Sequence, residues 1–173
     1  MAIIAKSQGE STFKPVTEGL HQAICSGVVD LGIQPGSDMY PNPKHQVYLR
    51  FDCVDELVEF EKDGEKKSGA ARCGATYTLS LGDKSKLRPL LESWRGKKFN
   101  DTELEGFDIE KLLGVPCQVQ VLHTHKAGKT YANIGTVVPW PKGVDKPAVP
   151  PDAVTYSPSA HDQAAYERLP KWL

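Results

Sequence analysis

The segment SKLRPLLESWRGKKFNDTELEGFDIEKLL, Ser85 to Leu113, decides the fold, because it is the main helical block in a chain that otherwise reads as strand. Leu87, Leu90, Leu91 and Trp94 fall at i, i+3, i+4 and i+7, the spacing of a helix that buries one stripe. Ser85 stands where a cap is wanted, Pro89 lies near the first turn, where a missing amide costs least, and Gly96 follows as a left-handed stop. Asn100 and Glu103 spell a second cap, and Asp108 opens a final turn that Gly114 ends. The flanks, Leu20 to Leu81 and Pro116 to Val138, carry strand grammar instead. Three strands, a helical insert and two strands is the connectivity of a mainly β, five-stranded OB-fold Greek-key barrel.

In the flanks, Val47, Leu49 and Phe51 alternate with Gln46, Tyr48, Arg50 and Asp52, the period of two expected when one face is buried and the other meets solvent. Tyr48 and Arg50 therefore share the outer face. Glu61 to Lys67, with Gly64 inside it, is a charged hairpin tip, after which Arg72 to Leu81 returns as a strand. Tyr77 has the parity of Cys73, Ala75 and Leu79, which assigns it to the core side. Lys126-Ala127-Gly128-Lys129 separates Gln118–Val121 from Tyr131–Ile134 as a second hairpin, with Tyr131 and Asn133 facing away from Ala132 and Ile134. The opening strand, Leu20 to Leu31, contains Gly27, where a bulge would let it bend between two halves of a barrel.

At 173 residues and 39% hydrophobic content the chain suits one domain with a tail. The expected division is a flexible arm over residues 1–15, the barrel over 16–139, and a Pro-rich linker and tail over 140–173 with a short helix around Ala160 to Leu169. No apolar run approaches the roughly 20 residues of a membrane-spanning helix, and the N-terminal stretch is too short for a signal peptide, so a soluble, cytoplasmic protein is expected. A net charge of -1 argues against a binder that relies on bulk positive charge; any nucleic-acid contact must come from local patches. Cys25, Cys53, Cys73 and Cys117 are widely spaced and form no Cys-x-x-Cys pair, which reads as reduced, buried strand residues, with convergence on a metal the alternative.

Charge is uneven along the helical block. Lys84 to Lys98 holds six bases against Glu92, while the stretch that follows is acidic. One reading is a solvated helix face; the other makes Arg95-Gly96-Lys97-Lys98 a phosphate contact. Trp94 lies on the apolar stripe, where core packing competes with base stacking. His123 and His125 share a strand face, as rim or core residues or as a metal-ligand pair, but no carboxylate or cysteine stands at matching spacing. No hydrolase elbow, phosphate loop or His-Glu-x-x-His is present, so neither an enzyme nor a cofactor is expected.

Phe13-Lys14-Pro15-Val16, Val29-Asp30-Leu31-Gly32, Tyr77-Thr78-Leu79-Ser80-Leu81, Leu91-Glu92-Ser93-Trp94-Arg95-Gly96, Gly106-Phe107-Asp108, Leu112-Leu113-Gly114 and Tyr131-Ala132-Asn133-Ile134 together resemble a family of small proteins of tailed bacteriophages and prophages. The resemblance runs from Phe13 to Val138. It implies an OB-fold protein that coats single-stranded DNA during phage replication or recombination, and it carries over no contact residues. The residues suited to that task are Tyr48, Tyr77 and Tyr131, whose rings can stack on unpaired bases, and Arg50, Arg72, Arg95, Lys97, Lys98, Lys126 and Lys129, which can neutralise phosphates. At the end of the chain, Trp172 and Leu173 are candidates for docking on a replication or recombination partner or on a second copy, against a frayed or self-packed end. The competing class is an interaction module that binds protein and no DNA.

Overall fold

The computed structural model describes residues 15–173, so all of the predicted arm except Pro15 lies outside the described residues. Six strands form one sheet: β1 (Gly19–Gln34), β2 (Lys44–Lys62), β3 (Glu65–Thr78), β4 (Pro116–Lys126), β5 (Lys129–Pro139) and β6 (Val154–Tyr156). Helix α1 (Leu87–Arg95), the short α2 (Asp101–Glu105) and a 3-10 turn over Ile109–Leu112 lie between β3 and β4, and α3 (Gln163–Glu167) lies near the C-terminus. The order of three strands, a helical insert and two strands is the one read from the sequence.

Strands run β3-β2-β1-β4-β5, each antiparallel to its neighbour. The edges β3 and β5 approach each other, but no ladder joins them among the described residues, so the sheet as described is open. β1 serves both halves. Its first part, Gly19–Ile24, pairs with β4, and the register to β2 slips between Cys25 and Gly27, setting the bulge expected near Gly27 at Ser26. Beyond that bulge β4 no longer follows β1, and β6 takes up the free edge, parallel to Gly27–Val29.

This sixth strand is one more than the five expected, and with α3 it lies in residues 140–173, where a linker and a tail with a short helix around Ala160 to Leu169 were expected. Val154 is buried, Ser157 donates to Asp30, and Ala165 is buried as well. A sheet edge left by β4 has unpaired amides and carbonyls, and a short β-branched run satisfies them.

The core lies between the inner face of the sheet and α1. Val47, Leu49 and Phe51 from β2, Val119 and Val121 from β4, and Leu87, Leu91 and Trp94 from α1 are all buried in it. Trp94 packs on Phe51 with ring centres 5.4 Å apart, and its indole N–H donates to the Pro116 carbonyl at 3.4 Å, so this ring belongs to the core and not to a stacking surface. Gly96 ends α1 at φ 73°, and Asn100 and Glu103 form the full capping box expected. The four cysteines are buried and reduced; Cys53 and Cys73 bring their sulfurs to 3.9 Å, and burial pushes the Cys25 thiol up to about 12.

Candidate nucleic-acid interface

Two outer faces carry the predicted residues, and they differ in how far they are covered. On the β4–β5 hairpin, directly paired residues share a face, which puts Leu122 with Asn133, Thr124 with Tyr131, and Lys126 with Lys129 on one side. The core side holds Val121 with Ile134 and His123 with Ala132. Ala127 and Gly128, at φ 52° and 76°, make the two-residue turn, with the positive φ at both positions that a type I′ hairpin requires. The outward side is open: Tyr131 is 49% exposed and Leu122 48%, and Leu20 of β1, paired with Gln120, extends the same face at 55%. Among the described residues neither Lys126 nor Lys129 is ion-paired. An exposed ring flanked by a methyl-rich side chain and two free ammonium groups can stack a base and meet the phosphates on either side of it.

The second face belongs to β2 and β3, and here the sequence expectation needs correction. Tyr48 and Arg50 do share the outer side of β2, but both are buried, each 8% exposed. The Arg50 guanidinium donates to the Ser26 hydroxyl and carbonyl at 3.0 Å each and to the Asp152 carbonyl at 3.1 Å. Ser26 in turn donates to Asp52 at 2.7 Å, and Asp52 accepts from Arg72 at 3.0 Å. Arg72 also pairs with the Asp152 carboxylate. Burial disfavours the charge on Arg72, yet Asp152 and Asp52 together raise its pKa; burial and the neighbouring Arg72 lower that of Arg50. Tyr48 and Trp172 make a T-shaped pair, ring centres 5.2 Å apart and planes at 86°. A buried polar row of this kind persists because each member has a partner.

The remaining residues divide sharply. Tyr77 is partly buried and packs against the core, on the side its parity predicted, and burial pushes its hydroxyl up to about 12. Arg95 is bound to Glu103 and lies over Phe99 and Phe107, its carbon centre 4.4 and 5.5 Å from the two ring centres, which removes it from the phosphate set. One of its nitrogens, Nη1, is buried without a hydrogen-bond partner among the described residues. Lys97 and Lys98 are exposed, as expected, beside a shallow groove of about 520 Å³ bounded by Pro89, Glu92, Ser93 and Gly96. Trp172 is 68% exposed although it packs against Tyr48, and Leu173 is half-buried.

His123 meets the Val16 carbonyl at 2.6 Å and His125 the Thr130 hydroxyl at 3.0 Å; no group of three metal-ligating side chains occurs among the described residues. Tyr40, with the Lys44 ammonium 5.3 Å from its ring centre, is an exposed aromatic–cation pair next to β2 that the sequence reading missed. It sits among Ser37, Pro41 and Pro43, where no periodicity marks a face. Asp152 was missed too, for it stands alone after two prolines.

No helix among the described residues is long and apolar enough to cross a membrane. No protein-family model matches the chain, and no curated protein matches it.

Proposed function

We propose that the chain is an OB-fold protein that binds single-stranded DNA without strong sequence preference and without catalysis, of the kind that phages use in replication or recombination. The strand order β3-β2-β1-β4-β5 and a first strand shared through a bulge support the OB assignment, as does a helix between β3 and β4 that plugs the core. The observation that carries the binding assignment is the open face of the β4–β5 hairpin, where Tyr131 stands with Lys126 and Lys129 on the strand ends beside the β4–β5 loop, the loop that OB barrels use to hold oligonucleotides.

The test is a polarisation titration of labelled oligo-dT at low and high salt. Tyr131→Ala should weaken binding by about 1–3 kcal/mol, the cost of one stack, while leaving the fold intact because the ring is half-exposed. Replacing Lys126 and Lys129 by Ala should flatten the salt dependence by about 0.7 in log–log slope for each phosphate left without its cation. A wild-type protein that leaves the polarisation unchanged at low salt sinks the proposal.

Leu20 and Leu122 on that same face favour a second reading, an interaction surface for protein, including another copy of the chain. It predicts self-association or partner capture by light scattering, abolished by Leu122→Lys, with no response to the oligonucleotide.

A further inference from the structure

The outer side of α1 carries a groove that the β4–β5 hairpin does not use. Pro89, Glu92, Ser93 and Gly96 fall at i, i+3, i+4 and i+7, on the side of the helix turned away from Leu87, Leu91 and Trp94, and with Lys97 and Lys98 they bound the hollow of about 520 Å³. Its charge is one-sided. Glu92 is committed to Arg88 at 2.9 Å, whereas Lys97 and Lys98 are exposed and, among the described residues, make no ion pair. The Glu92 and Ser93 carbonyls at the end of α1 already accept from the Gly96 and Lys97 amides, so neither ammonium is needed to close the helix. The acidic stretch that follows does not neutralise them by contact: Glu103 pairs with Arg95, and Asp101 and Glu105 stand in solvent.

We propose that this groove is a docking site for an acidic segment of a partner protein, whose carboxylates meet Lys97 and Lys98 while a small apolar side chain rests on Pro89 and the Gly96 backbone. Charge complementarity selects an anionic occupant, and the lining then selects between two kinds of anionic polymer. A single strand draws affinity from bases stacked on rings, and among the described residues no aromatic side chain lines the groove; Trp94 and Phe99, its neighbours in sequence, are buried. A peptide needs no ring, only an apolar foothold beside the cations. Position argues the same way. Ser93 meets Thr136 of β5 at 3.3 Å, and a Cβ on Gly96 would stand 3.4 Å from Pro139, so the groove sits by the end of β5, whereas Lys129 opens that strand. The strand between them is 11 residues long, or roughly 30 Å. A partner docked here leaves Tyr131 free, and the inference does not rest on what the hairpin binds.

The experiment titrates the full chain, at low salt, into a labelled peptide of aspartates with leucine at every third position, beside a control peptide with asparagine in place of aspartate. Polarisation should show saturable binding of the acidic peptide and none of the neutral one. Lys97→Glu with Lys98→Glu should weaken that binding about tenfold, two surface ion pairs lost and two repulsions gained, and because both side chains are exposed the urea midpoint should confirm an intact fold. Lys126→Glu with Lys129→Glu, at the far end of β5, should change it by less than about twofold; an equal loss there would reduce the binding to bulk charge and overturn the site. Absence of saturable binding by the acidic peptide overturns it too. If Lys97→Glu with Lys98→Glu weakens oligo-dT binding and oligo-dT displaces the peptide, the groove belongs to the strand. If light scattering shows self-association that the same variant abolishes, the occupant is a second copy, with Asp101 and Glu105 supplying the acids, and the assignment to a partner protein falls.

Discussion

His21 is held by two acceptors at once: one ring nitrogen lies 2.9 Å from an Asp55 carboxylate oxygen and the other 2.7 Å from the Thr17 carbonyl. Only the imidazolium has an N–H for each; the neutral ring turns a lone pair toward one of the two oxygens. Burial of the side chain works to lower its pKa, but the Thr17 carbonyl and Asp55 outweigh that and leave it raised above 6.5. A raised folded-state pKa means that the charged form stabilises the native protein. The contribution is complete below about pH 6.5 and is lost as pH climbs through the folded-state value. His21→Gln removes one of the two donors and the titration with it. The urea midpoint of the wild type should therefore exceed that of the variant near pH 6, and the gap should close at higher pH; a gap independent of pH would mean that the charge is not what Asp55 and Thr17 hold. The same scale explains a failure of sequence reading. Tyr48 and Arg50 alternate correctly with Val47 and Leu49, and the alternation shows which side they face. It carries no information about Trp172 and Asp152, which come from the far end of the chain to cover that side.

Helix α1 was legible almost to the residue, because its stripe, its Gly96 stop and its place between strands are all local signals. The miss is at its start. Lys86 is the N-cap residue and makes no side-chain cap, since its ammonium is a donor with no acceptor to offer an amide; Ser85, one residue earlier, accepts from the Arg88 amide instead, at 3.4 Å. Trp94 is the part of this element that the core cannot do without. Its ring fills the space between Phe51 and β4, and truncation leaves a void that the sheet cannot close, so Trp94→Ala should cost about 3–5 kcal/mol in urea unfolding. A cost below about 1 kcal/mol would place the ring at the surface. β6 was not legible, although Val154, Thr155 and Tyr156 have strand-forming side chains. Three residues cannot display a period, and the prolines at 147, 150 and 151 argue locally for a linker. What makes them a strand is the edge that β1 exposes when it parts from β4, a tertiary circumstance.

For the molecule as a whole, the segment 140–173 completes the sheet and covers its polar row, and the two roles separate along the chain. Deleting 140–173 would strip the parallel ladder from Gly27–Val29, expose the residues around buried Val154, and take Asp152 away from Arg50 and Arg72. Arg50 would then face water on one side of a site built for an acceptor, and β1 would offer a free edge to any other strand. Loss of one buried valine contributes about 1.5–3 kcal/mol by itself. The truncated protein should therefore unfold at a clearly lower urea concentration and aggregate more readily. Removing only 170–173 takes away Trp172 and its T-shaped packing on Tyr48 but leaves β6, Asp152 and Ala165 in place, so stability should stay within about 0.5 kcal/mol of the full chain. If both truncations prove equally harmless, residues 140–173 are the loose tail that their prolines suggest; if the short one is as damaging as the long one, Trp172 is part of the core and not a detachable cover.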